Sequence, residues 1–61
     1  MSTELYEDDE SGVYLTQYFG GKERGVCYQI TARQDEGIRT YVQLSRAEMQ
    51  AVSDAFLKAQ P

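Results

Sequence analysis

The 61-residue chain has no histidine, no tryptophan and a single cysteine, Cys27. Without histidine the commonest general base and metal ligand is missing, and one cysteine supports neither a disulfide framework nor a zinc cluster. An unpaired thiol fits a reducing compartment, so a cytoplasmic location is expected. No apolar run approaches the roughly 20 residues that a membrane-spanning helix needs. The first twelve residues contain no base, where a secretory leader would carry a positive patch and an apolar stretch. So short a chain hides only about 60% of the surface its unfolded form exposes; a thin core is expected, and with it a homodimer.

The acids that are present are unevenly placed. The net charge of −4 divides into −5 over residues 1–12, from Glu4, Glu7, Asp8, Asp9 and Glu10, and +1 over the remainder, where six bases oppose five acids. With only Leu5 and Tyr6 as large apolar side chains, residues 1–12 predict a flexible acidic tail, and residues 13–61 a single small domain. Glu7, Asp8, Asp9 and Glu10 are the candidate interaction residues of that tail, either solubilising the protein or imitating nucleic acid toward a basic surface.

From Val13 onward the pattern turns periodic. Val13 to Phe19 alternates, with Val13, Leu15 and Phe19 on one side and Tyr14, Thr16 and Tyr18 on the other. Gly20 to Gly25 has glycines at both ends and charges between, which predicts a hairpin connection; it lacks the spacing of a phosphate-binding loop and joins two strands. Val26 to Arg33 alternates again, Gln34-Asp35-Glu36-Gly37 is a turn signal, and Ile38 to Leu44 predicts a third strand. Ser45 and Glu48 form a capping box that opens a helix, along which Met49, Val52 and Phe56 recur at helical spacing. The expected fold is α+β, a three-stranded antiparallel meander packed against one C-terminal helix. Its core is expected from Val13, Leu15, Val26, Ile30, Val42 and Leu44 facing Met49, Val52 and Phe56.

The sheet face turned away from the helix then displays Tyr14, Thr16, Tyr18, Gln29, Thr31, Arg33, Arg39, Tyr41 and Gln43. Tyrosines stack on bases without regard to sequence and arginines neutralise phosphate, so Tyr14, Tyr18, Lys22, Arg24, Arg33, Arg39 and Tyr41 are candidate contacts for single-stranded nucleic acid. Two other readings stand beside it. Tyrosine and threonine are simply good strand formers, and tyrosine with arginine also anchors protein interfaces.

The strand ending in Tyr18 and Phe19, the turn with Lys22, the alternating strand ending in Arg33, and Val42-Gln43-Leu44-Ser45 leading into a helix resemble the positive transcriptional coactivator family of single-stranded DNA-binding proteins over residues 13–58. That resemblance implies a curved antiparallel sheet backed by a helix, a dimer whose forming region is Ser45 to Phe56, and DNA held by basic and aromatic strand residues. Tyr18, Phe19, Lys22 and Arg33 occupy the corresponding places.

Catalysis is not expected. Cys27 sits in mid-strand without a base to activate it, and the paired acids Asp8-Asp9 and Asp35-Glu36 fall in segments too loose to hold an acid and a base in register. No metal, cofactor, membrane or small-molecule substrate is expected. Two functions remain open: a small protein that binds single-stranded nucleic acid through the sheet, and a phage-type inhibitor or adaptor that binds a host protein.

Overall fold

Alternation and capping carry through into the elements they predict. The structure, a computed structural model, describes residues 2–60, and of Glu36 the backbone alone; Met1 and Pro61 lie outside it. Strand β1 covers Ser2–Asp8, β2 Val13–Phe19, β3 Val26–Arg33 and β4 Arg39–Ser45, followed by helix α1 over Arg46–Lys58. A single turn of 3-10 helix, Asp35–Gly37, joins β3 to β4. The strands form one antiparallel sheet in the order β1-β2-β3-β4. The α+β class and the C-terminal helix are as expected, but the sheet has four strands, not three.

The added strand is the acidic segment expected to be a tail. Ser2–Asp8 pairs with β2, and Asp8 closes the connection. Its backbone carbonyl accepts from the Gly12 N–H at 2.8 Å, and its carboxylate from the Ser11 hydroxyl at 2.8 Å and the Glu10 N–H at 3.2 Å. An aspartate satisfying the donors of the loop that follows it is ordinary turn chemistry. Pairing supplies the order that so few apolar side chains in this segment do not.

At α1 the capping box is complete. The Glu48 N–H donates to Ser45 Oγ at 3.1 Å, and the Ser45 N–H donates to Glu48 Oε1 at 2.8 Å. The Ser45 backbone N–H, then its side chain, holds the Glu48 carboxyl below its ordinary value. This contribution to stability is therefore present above the ordinary carboxylate range and lost as pH falls through the lowered folded value. Ser45→Ala is expected to cost about 1 kcal/mol. Thermal melts followed by circular dichroism should show wild type losing more on acidification than Glu48→Gln; equal losses would mean that the carboxylate does not support the cap.

The helix crosses β3 and β4 on the face that carries Val13, Leu15, Tyr28, Ile30, Val42 and Leu44. The expected core is only partly enclosed by one chain. Leu15, Ile30, Leu44 and Met49 are half-buried, while Val42, Val52 and Phe56 remain 50%, 49% and 63% exposed. Among the described residues the one fully buried side chain is Cys27, on the opposite face under the β2–β3 turn, with Sγ 3.7 Å from the Gly25 carbonyl. A molecule measuring 36 × 35 × 15 Å is one sheet and one helix thick, which leaves little interior. Among the described residues no helix is long and apolar enough to cross a membrane.

Candidate nucleic-acid interface

Strand register arranges the face away from α1 as a lattice. Tyr14 lies opposite Thr31, which lies opposite Tyr41; one row further along, Thr16, Gln29 and Gln43 are aligned. At the other side of the tyrosine row Arg33 is directly opposite Arg39. Rows on one face of a sheet are about 7 Å apart and strands about 5 Å apart.

Four of the seven candidate residues come together here. The Arg39 guanidinium stands over the Tyr14 ring, 5.7 Å from its centre. Tyr41, on the edge strand, is 62% exposed and is the most open ring of the row. Arg33 is tied down at one corner, its Nη2 donating to the Glu10 carbonyl at 2.7 Å while its backbone N–H donates to the Gly12 carbonyl at 2.8 Å. Between the rows, Gln43 Nε2 donates to Gln29 Oε1 at 3.1 Å and Gln29 Nε2 to Thr31 Oγ1 at 3.3 Å, an amide ladder with polar atoms left for base edges.

The other three are placed elsewhere. Lys22 and Arg24 are exposed in the β2–β3 turn, at the far end of β3 from Arg33, and the length of that strand separates them by about 20 Å. Tyr18 is on the same face as Tyr14, two rows further along opposite Cys27, and its hydroxyl is sequestered with no hydrogen-bond partner among the described residues.

Sequence reasoning counted no acid on this face, and there it missed β1. Register is broken between Glu4 and Tyr6, so Leu5 is an extra residue in the strand. A bulge of this kind shifts the inside-outside alternation by one. Glu4 therefore lies opposite Thr16 and Glu7 opposite Tyr14, both on the tyrosine face, and Leu5, half-exposed, lines a hollow with Leu15, Tyr28 and Met49 on the helix face. Thr16 Oγ1 donates to Glu4 at 2.8 Å, and the Tyr14 hydroxyl donates to Asp9 Oδ1 at 2.7 Å. That bond to Asp9, with desolvation second, raises the Tyr14 phenol above its ordinary value and keeps it protonated. The one sequence signal available was the Asp8-to-Gly12 turn, which marks a hairpin with something paired before it.

A shallow concavity results, with Glu4, Glu7 and Asp9 along one wall, Arg39 on the other, and Tyr14, Thr16 and Thr31 on the floor. No family model, curated protein or solved structure matches this chain. The chemistry of the face is thus its own guide: a charge gradient from acidic β1 to basic β4, with stacking surface and amides between. Among the described residues no group of three His, Cys, Asp or Glu side chains is gathered to share a metal ion, and Cys27 is a buried free thiol.

Proposed function

We propose that this is a non-enzymatic binding protein that holds single-stranded nucleic acid on the β3–β4 half of its tyrosine face. Arg33 and Arg39 receive phosphate, and Tyr41, with Tyr14 behind it, stacks on a base. The carrying observation is the placement of Arg33 directly opposite Arg39 beside two tyrosines. Like charges opposed on neighbouring strands repel one another, and a bound anion removes that penalty. The resemblance of residues 13–58 to the coactivator family points the same way. Glu4, Glu7 and Asp9 restrict the strand to the basic half and suppress loose, non-specific attachment. Lys22 and Arg24 lie too far from this cluster for the same nucleotides and are assigned only to the flanks of a longer strand.

The test is fluorescence anisotropy of a labelled single-stranded oligonucleotide at two salt concentrations. Tyr41→Ala is expected to weaken binding by about 1–3 kcal/mol. Arg33→Ala with Arg39→Ala should flatten the dependence of log affinity on log salt by about 1.4, close to 0.7 for each phosphate released. Absence of binding at low salt sinks the reading and leaves the second one, an inhibitor or adaptor that takes a host protein on the same face. That reading draws its support from the acidic wall, because a face of mixed charge with tyrosine and arginine anchors suits a protein partner.

A further inference from the structure

Helix α1 covers only half of the sheet. A helix is about 10 Å across and strands lie about 4.8 Å apart, so one helix shields two strands, here β3 and β4. On the same face β1 and β2 have no second layer among the described residues, and where the helix flank steps down to them lies a hollow of about 200 Å³. Leu5, Leu15, Tyr28 and Met49 give it apolar walls, and Arg46 and Ser53 stand on its helix-side rim. Two local features build it. The bulge at Leu5 brings that side chain to the helix face, and the capping box at Ser45 fixes the helix start and with it the place of Arg46, the first helical residue.

The charge of this hollow is one-sided. Among the described residues no acid lines it, and Arg46 is its single cation. Glu48, the acid of the first turn, is committed to the cap, where it accepts from the Ser45 N–H at 2.8 Å. Asp54 lies outside the lining, one turn beyond Gln50, and accepts from Gln50 Nε2 at 3.0 Å. A cation in the first helical turn also adds to the positive end of the helix dipole, so an anion held there is favoured by both.

We propose that the hollow binds a small free carboxylate built on one aromatic ring, with the ring on Leu15, Tyr28 and Met49 and the carboxylate on the Arg46 guanidinium. Size, surface and charge each select for it. An apolar cavity of about 150 Å³ accommodates benzene, so this one takes a single ring with a short arm. The Met49 thioether and the Tyr28 ring both favour an aromatic neighbour. Arginine meets a carboxylate through two parallel N–H···O bonds, and the Ser53 hydroxyl is a further donor on the same rim. Asp54 repels a carboxylate turned the other way along the helix. The hollow is on the opposite side of the sheet from Tyr14, Arg33 and Arg39, so it stands apart from the nucleic-acid reading and neither depends on the other.

The probe is phenylacetate, titrated into the full isotopically labelled chain without nucleic acid and followed by amide chemical shifts. Saturable shifts centred on Leu5, Leu15, Tyr28 and Met49 are expected, with a dissociation constant of about 1–10 mM, the range that about ten non-hydrogen atoms supply in an open site. Acetate has the charge without the ring and benzylamine the ring with the opposite charge; neither should move those amides in a saturable way. Arg46→Gln, a change at an exposed position, should keep the wild-type circular dichroism and weaken phenylacetate about tenfold. Ser53→Phe, which fills the hollow from the helix side, should abolish the shifts. The inference is overturned by shifts that do not saturate by about 50 mM, well above that range. It is overturned equally by benzylamine binding as well as phenylacetate, by unchanged affinity in Arg46→Gln, or by shifts centred on Arg33 and Arg39. A peptide ending in phenylalanine that occupies the hollow more tightly than phenylacetate would make the occupant a protein partner and overturn the free ligand.

Discussion

Deleting residues 1–12 is expected to unfold the protein, whereas neutralising Glu4 and Glu7 in place is expected to leave it folded and binding more tightly. The difference follows from β1. Its removal takes away six register pairs with β2, the Glu4–Thr16 and Asp9–Tyr14 hydrogen bonds, and the Glu10 carbonyl that holds Arg33. It also removes Leu5 from the hollow it lines with Leu15 and Met49 and turns β2, with Tyr14, Tyr18 and Phe19, into a raw edge. A domain of this size has about 3–9 kcal/mol in hand, which the loss of an entire strand exceeds. Glu4→Gln retains an oxygen to accept from Thr16, so Glu4→Gln with Glu7→Gln removes charge without removing the strand. Two carboxylates about 10 Å from a phosphate in a largely aqueous setting oppose it by a few tenths of a kcal/mol each, so affinity should rise about two- to five-fold at low salt and less at high salt. Circular dichroism of the truncated chain and anisotropy with the double variant check the two halves. A truncated chain that stays folded and binds more tightly would show that the acidic segment behaves as a tail after all.

Gly12→Ala is the second large effect. Gly12 sits at φ 75°, where a side chain is strained, and a Cβ there would lie 2.4 Å from Arg33 Cβ and 3.0 Å from Arg33 Nε. The clash is with the first carbon of a side chain on a paired strand, which cannot swing aside, so the β1–β2 turn must separate from β3. Gly37, at φ 81° with nothing near its missing Cβ, has the strain without the clash. Strain of this kind costs about 1–2 kcal/mol. Gly37→Ala is therefore expected to lower the melting temperature by roughly 4–16 °C, at 4–8 °C for each kcal/mol in a domain this small. Gly12→Ala should fall well beyond that and also weaken oligonucleotide binding by releasing Arg33. Equal shifts in the two variants would show that Gly12 matters for its backbone angle alone.

The two central strands and the helix were legible because their signals are local. Val13–Phe19 and Val26–Arg33 alternate without interruption, and a serine three residues before a glutamate specifies a helix start through bonds made inside one turn. The face shared by Tyr14, Thr31, Arg33, Arg39 and Tyr41 follows from that alternation once the strands are antiparallel neighbours. Core membership was less legible. Val52 and Phe56 have the spacing of a buried stripe, but spacing says which residues share a face and not whether another surface is there to cover it. Cys27 lies on the polar side of its strand and is nevertheless the buried residue, because the β2–β3 turn folds over it.

By itself, then, the sequence determined the alternating strands, the capped helix and the grouping of tyrosines with arginines, all of which depend on neighbours a few residues apart. The tertiary structure alone decided that the acidic segment is a strand and that Glu4 and Glu7 lie among those tyrosines. The physical reason is that Ser2–Asp8 has too few apolar side chains to declare itself, and it takes its order from pairing with β2. Its one-residue bulge at Leu5 then reverses the alternation that any reading of the segment alone would have used.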